Sequence, residues 1–251
     1  MTDLDAGAAW IVGGSSGIGR AVAEELHARG RTVVVSALDL PELEQVDERW
    51  WNTSVDTRDS RSVADAYALV SGLVPVGAVV NCAGVSPGGS LMTLTDEDWH
   101  LALDTKLLGY ARICRTVLPD LASRGGALVN VIGSAAHVAT ADYAVGCIAA
   151  ALTHLTRGIA QEWCRRGVRV YGISPGPTAT ERLTVLAERR AADAGIPLSA
   201  AWRELTGDMY AGAPLRPRDV ALTIAELLGP AGTALNGSIL LADGGATGGW
   251  I

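Results

Sequence analysis

Seven short apolar runs, each separated from the next by a longer stretch, constrain the fold of this chain more than any other feature. The runs are AAWIVGG, RTVVVSAL, ERWWNTSVD, VGAVVNCAG, GGALVNVIGSAA, GVRVYGISPGP and NGSILLADGG. Valine-rich strands with little polar alternation suit a sheet covered on both faces. The stretches between them read as helices. One is expected over about 18–29, and another begins at YAVGC, where Ile148, Leu152, Leu155 and Ile159 recur at helical spacing. Strand alternating with helix implies parallel strands joined by helical crossovers. The expectation is α/β: a single doubly wound domain over 1–251, with a seven-stranded parallel sheet and helices on both faces. The least regular segment runs from about 178 to 215. It carries Trp202, Met209 and Tyr210 with one or two short helices, and it stands where a substrate lid would cover the carboxyl ends of the strands.

Composition narrows the function classes. With 251 residues, 49% of them hydrophobic, the chain can bury a sizeable core. A net charge of −7 without a basic patch argues against nucleic acid as a partner. No apolar run reaches the roughly 18 residues of a membrane helix, so no membrane partner is expected. The start MTDLDAGAAW lacks the basic region of a signal peptide. Cys82, Cys114, Cys147 and Cys164 show no CxxC spacing. Free thiols in a reducing cytoplasm are expected, with no metal site and no disulfide.

The stretch VGGSSGIGR follows the first strand and opens a helix, and Gly13, Gly17 and Gly19 give the pattern GxxxGxG. Glycines serve where a backbone turns tightly and approaches a pyrophosphate, and the helix amino terminus adds N–H donors and positive partial charge. Set in this place, the pattern resembles that of the short-chain dehydrogenase/reductase family, and the resemblance extends over nearly the whole chain. It implies a Rossmann-like fold and an NAD(P)-dependent oxidoreductase acting on a small-molecule secondary alcohol or ketone. Ser15, Ser16 and Ile18 would line the cofactor with the three glycines. VVNCAGV places Asn81, Ala83 and Gly84 at the family's NNAG motif. SVDTRD places Asp56 where the family contacts adenine. ISPGPTAT places Pro175 and Gly176 at the turn near the nicotinamide and Thr180 at the threonine that contacts its carboxamide. NAD-specific relatives carry an acid at the position of Ala37. NADP-specific ones carry an arginine at that of Leu38 or a base at that of Ser16. Neither set is present, but Asp39 disfavours a 2′-phosphate, so the choice between NAD and NADP leans to NAD.

The catalytic pattern departs from the family. Its chemistry uses a serine, a tyrosine, a lysine and an asparagine. The tyrosine exchanges the hydroxyl proton, and the lysine ammonium binds the ribose and lowers the tyrosine pKa. Ser134 and Tyr143 match the first two, although only nine residues separate them. The lysine position holds Cys147, four residues after Tyr143 and so on one helix face with it. A neutral thiol supplies no positive charge, and Cys147 reads as a small packing residue. The asparagine position, in DTKLLG, holds Lys106, the single lysine of the chain. The paired losses suggest that Lys106 relocates the positive charge into the space of the missing lysine. The competing reading is a degenerate site. His137, between Ser134 and Tyr143, reads as a loop histidine.

Three functions fit this pattern. The first is hydride transfer between a nicotinamide cofactor and a secondary alcohol or ketone. The second is a non-redox enzyme on the same scaffold, such as a cyclase, dehydratase or isomerase. The third is a catalytically silent binding or regulatory subunit. The resemblance also implies a homodimer or homotetramer packed through the two long helices.

Overall fold

The computed structural model describes residues 7–87, 89, 91–138, 143–207, 209 and 212–247, with Tyr143 described in its backbone only. Among these described residues eight strands form one sheet. They are β1 Ala8–Val12, β2 Val33–Ala37, β3 Glu44–Asp47, β4 Trp50–Ser54, β5 Val76–Asn81, β6 Ala127–Val131, β7 Arg169–Pro175 and β8 Ile239–Ala242. Their order is β3-β4-β2-β1-β5-β6-β7-β8. All seven expected strands are present and pair in parallel. The eighth, β3, pairs antiparallel with β4 at one edge. Its four residues, EQVD, are all exposed, so they carry no apolar signal in the sequence.

Helices cover both faces of the sheet: α1 Gly17–Ala28, α2 Ser60–Leu73, α3 Asp96–Ala102, α4 Gly109–Arg124, α5 Tyr143–Trp163, α6 Glu181–Ala194, α7 Leu198–Thr206 and α8 Pro217–Leu228. Alternation along each strand divides the core into two layers. Trp10, Val34, Val79 and Leu128 pack with Val63 and Val70 of α2, Ile113 and Val117 of α4 and Ile159 of α5. Ile11, Val35, Val80, Val129 and Ile173 pack on the other face with Val22 and Leu26 of α1 and Val220 and Ile224 of α8. This is why the strands read as continuous apolar runs.

The chain runs outward from β1 through β2 to β4, then returns to place β5 on the other side of β1. Connections therefore diverge between β1 and β5 and leave a crevice at their carboxyl ends. The stretch 96–124 is not one helix. A π-helical turn, Leu103–Leu108, joins α3 to α4. Tertiary contacts hold that turn. Thr57 Oγ1 donates to the Thr105 carbonyl at 3.0 Å. Arg112 donates to the carbonyls of Asp104 and Thr57, each at 3.1 Å, and to the Asp104 carboxylate at 2.7 Å. The irregular segment after β7 contains α6 and α7. Met209 is buried in it and Trp202 half-buried, while Tyr210 lies outside the described residues.

Candidate active site

The crevice opens into a cleft of about 940 Å³, large enough for a dinucleotide half or a small ligand. Gly13 turns the chain out of β1 with φ of 82°. A methyl built on it would lie 2.3 Å from the Ala83 backbone nitrogen, so only glycine permits β1 and β5 to close to this distance. One on Gly19 would lie 2.2 Å from the Gly13 carbonyl oxygen. α1 then begins at Gly17, and its Ser16 cap makes no side-chain hydrogen bond to the first turn. The amino-terminal N–H groups of α1 thus face the cleft with their positive partial charge uncapped by the Ser16 side chain.

Gly13, Ser15, Ser16, Gly17, Ile18, Gly19, Asp39, Asp56, Ala83, Gly84, Lys106 and Thr180 all line this one cleft. At its outer end the Asp56 carboxylate accepts from the Arg58 side chain, Nε at 2.9 Å on Oδ1 and Nη2 at 2.8 Å on Oδ2, and from the Arg58 backbone N–H at 2.9 Å. Those bonds hold its carboxyl below the usual range. Arg20 donates to Glu24 at 2.8 Å. Asp39 is exposed beside them. Asn81, by contrast, is wholly buried within the sheet. Its amide nitrogen donates to Asn130 Oδ1 at 2.9 Å, and Asn130 donates to Thr156. Asn81 therefore ties β5 to β6 and does not line the cleft. Pro175 is buried at the end of β7, and a methyl on Gly176 would lie 2.8 Å from Asp243 Cα. Neither of these two lines the cleft, so their expected place beside the cofactor is not brought out by this geometry.

Lys106 points inward from the π-helical turn. Its Nζ donates to the Ile132 carbonyl at 2.6 Å. The Tyr110 hydroxyl, one turn further along, donates to the Val131 carbonyl at 3.1 Å. Two side chains of one helical face thus hold the backbone leading to Ser134, which is half-buried in a short 3-10 segment. Burial, and next the Arg182 guanidinium, pull the Lys106 ammonium down to about 7, with the Cys82 thiol acting weakly the other way. Burial pushes that Cys82 thiol up to about 12. His137 Nε2 lies 3.0 Å from Ser174 Oγ, pinning the loop after Ser134 to β7. It is not a free loop histidine.

Tyr143 is the first residue of α5 and its side chain lies outside the description. The expectation for Cys147 is corrected: the side chain is exposed. The buried stripe of α5 is Ala144, Ile148, Ala149 and Leu152, and one residue before Ile148 the helix has rotated by about 100°. Arg182 and Tyr110 were missed in the sequence. Tyr110 stands one turn after Lys106, a spacing that places both on one side of a helix. Arg182 had no sequence signal, because the path of the segment that carries it is set by tertiary packing. All four cysteines are free, and no metal-binding cluster occurs among the described residues. No helix among them is long and apolar enough to cross a membrane.

Comparison with known proteins bears on the fold and the cleft together. A family model described as enoyl-(acyl carrier protein) reductase matches residues 12–247. Carbonyl reductase family member 4 of Danio rerio is 31% identical over 249 residues, covering 94% of this chain and 95% of that protein. A putative ketoacyl reductase of Streptomyces coelicolor is 28% identical over 261 residues, covering 98% of each. Among solved structures, a short chain dehydrogenase/reductase family protein superposes with a TM-score of 0.81 at 28% identity, covering 96% of this chain and 97% of that one. An actinorhodin polyketide ketoreductase solved with NADPH gives 0.87 at 24% identity, covering 98% and 99%, and shows the same fold.

Proposed function

This chain belongs to the short-chain dehydrogenase/reductase family, and from that premise we propose that it interconverts a secondary alcohol and a ketone with a nicotinamide dinucleotide. The observation that carries this reading is the cleft at the β1–β5 crevice. There Gly13 and Gly19 leave room that a side chain would fill, beside the open amino terminus of α1. The donor set fits the group. The α1 N–H groups and Ser15 to Gly19 would hold a diphosphate, Ala83 and Gly84 the inner ribose, and Thr180 the amide end. The Thr105 hydroxyl, buried without a hydrogen-bond partner among the described residues, lines the same cleft. When bound, the nicotinamide supplies or accepts the hydride.

The chain's own residues supply the proton. Tyr143 gives it to, or takes it from, the substrate oxygen, and Ser134 donates a hydrogen bond to that oxygen. Lys106, near neutrality, exists as both ammonium and amine at working pH. A group with such a pKa passes protons in either direction. Lys106 is therefore suited to carry a proton to or from Tyr143 more than to act as a fixed cation, and the positive charge that persists above neutral pH belongs to Arg182. Water is excluded by α6, whose Arg189 reaches across the cleft to the Pro87 carbonyl. Segment 178–215 is accordingly the substrate lid of a single-domain enzyme.

NAD is the preferred cofactor. At the adenosine end Arg20 and Arg58 are each engaged by an acid, whereas Asp39 adds a negative charge where a 2′-phosphate would sit. The test is reduction of a ketone panel with NADH and NADPH, followed at the nicotinamide, in the native protein and in Lys106→Ala, Tyr143→Phe and Asp39→Arg. Turnover should favour NADH, fall in the first two variants, and shift towards NADPH by about tenfold in the third, the equivalent of ~1.4 kcal/mol. Nucleotide binding with no turnover on any substrate would leave only the silent-subunit reading. Product formed without change at the nicotinamide would leave only the non-redox one.

A further inference from the structure

The segment that carries Ser134 has little regular structure of its own. β6 ends at Val131, and Gly133 follows with φ of 116°. A methyl built on Gly133 meets nothing within 4 Å, so the backbone angle and not the space requires glycine there. Ser134–Ala136 is a single 3-10 turn. The Ala136 N–H donates to the Gly133 carbonyl at 3.2 Å, and the His137 N–H to the Ser134 carbonyl at 2.9 Å. One such turn after a glycine hinge does not fix a hydroxyl by itself. Two consecutive residues of β7 hold it from outside. Before the turn, the Ile132 N–H donates to the Ile173 carbonyl at 2.7 Å. After it, His137 Nε2 bonds Ser174 Oγ at 3.0 Å. Ser174 is wholly buried, whereas Ser134 and His137 are half-buried. A buried hydroxyl left unpaired is costly, so Ser174 and His137 hold each other. The serine hydroxyl both donates and accepts, and the contact suits either ring tautomer. Lys106 and Tyr110 strengthen the near side of the turn through the Ile132 and Val131 carbonyls. On the far side His137 carries the only polar side chain of 135–138, so no neighbour can replace its bond.

We propose that His137 is a positioning residue: its bond to Ser174 fixes the 3-10 turn against β7 and so sets where the Ser134 hydroxyl meets the substrate oxygen. The inference rests on the reading of Ser134 as the donor to that oxygen. It goes further in giving the donor's placement to a side chain three residues on and to a strand 40 positions away in the sequence. Only nine positions separate Ser134 from Tyr143, with His137 between them. The connection that must bring both hydroxyls to one oxygen is therefore short, and a fixed point within it narrows the positions that each can take. A misplacement of about 1 Å can lower a rate on the order of a hundredfold, which is the scale on which this contact matters.

The experiment compares kcat for ketone reduction and NADH affinity in the native protein, His137→Phe, His137→Gln and Ser174→Ala, each also placed in a Ser134→Ala background. Phenylalanine keeps a ring and removes the bond, whereas the amide nitrogen of glutamine stands about where Nε2 does. His137→Phe and Ser174→Ala should each lower kcat by about tenfold or more. Both should leave the NADH dissociation constant within about twofold, because the glycine loop is untouched. His137→Gln should recover most of the loss. With Ser134→Ala in place, the same substitutions should change kcat by less than about twofold, since the hydroxyl they position is gone. Native kcat in His137→Phe overturns the inference, and so does a loss that His137→Gln fails to recover. A full loss repeated in the Ser134→Ala background overturns it as well, because His137 would then act elsewhere than through Ser134. Amide exchange is measured alongside at Ala136 and His137, whose N–H groups close the turn. It should quicken by about tenfold in His137→Phe and Ser174→Ala. If the native protein reduces no ketone, the redox reading fails by itself, and this exchange decides for or against the tether.

Discussion

Lys106 is the residue at which the cleft and the stability of this protein meet. An ammonium buried beside a guanidinium is held below its ordinary pKa. The folded chain therefore binds fewer protons there than the unfolded chain between about pH 7 and the ordinary lysine range. Across that window stability rises with pH, and below pH 7, where both states are charged, the burial penalty is fully present. Lys106→Met should accordingly stabilise the protein more at pH 6 than at pH 9. A difference of about 1 kcal/mol is expected after discounting for partial solvent screening of the half-buried side chain. Urea unfolding at the two pH values measures it, and an equal gain at both would mean that Lys106 is not held near neutrality. The sequence points to Lys106 through its uniqueness and its position in DTKLLG, but burial and Arg182 are what shift it, and neither is written locally. The same limit explains Cys147 and Asn81. Spacing from a tyrosine names a helix face without saying whether the core or the solvent covers it. A motif position names an asparagine without saying that Asn130 on the next strand will engage it.

At the scale of elements, strands were legible and irregular helix was not. Every apolar strand was visible because both sheet faces are buried, whereas β3 is a four-residue exposed edge held by its pairing with β4. The π-helical turn was invisible for a related reason. LDTKLL is compatible with an ordinary α-helix, and what widens the turn comes from outside it. Thr57 and Arg112 bind the carbonyls of Thr105 and Asp104, and Gly109 admits Thr57 so closely that a methyl there would stand 2.9 Å from its Cβ. This clamp aims Lys106 at the cleft, and it links the turn to the Asp56–Arg58 loop at the outer end. Thr57→Val keeps the shape of the side chain and removes its bond. It should cost about 1 kcal/mol in denaturant unfolding. It should also lower kcat more than it raises KM for the nucleotide, because Lys106 is misaimed while the glycine loop is untouched. A fall confined to nucleotide KM would show instead that the loop alone was disturbed.

The whole molecule is a sheet covered on both faces with its cleft at one end of the strands. Both core layers are continuous from β2 to β7, and much of the cleft lining lies on segments at the carboxyl ends of the strands: 13–19 after β1, 82–86 after β5 and the start of α6. Such segments carry fewer buried contacts than the strands and open at lower free energy. The proposed lid closes on itself through the Thr178–Leu215 bridge and is fastened to the turn after β5 by Arg189 on the Pro87 carbonyl. A ligand that bonds both the glycine loop and α6 would add contacts where the fold has least. Nucleotide binding should then stabilise by mass action, about 2.7 kcal/mol at a hundred times Kd, and raise Tm by roughly 5–10 °C for a chain of this length. Amide exchange should slow with NADH at 13–19, at 82–87 and along the first two turns of α6. It should stay unchanged at the amino-terminal end of the sheet, where Gly30 and Pro75 lie. Protection in the glycine loop without protection in α6 would mean that the proposed lid does not respond to nucleotide, and the closing role proposed for Arg189 would have to depend on the substrate.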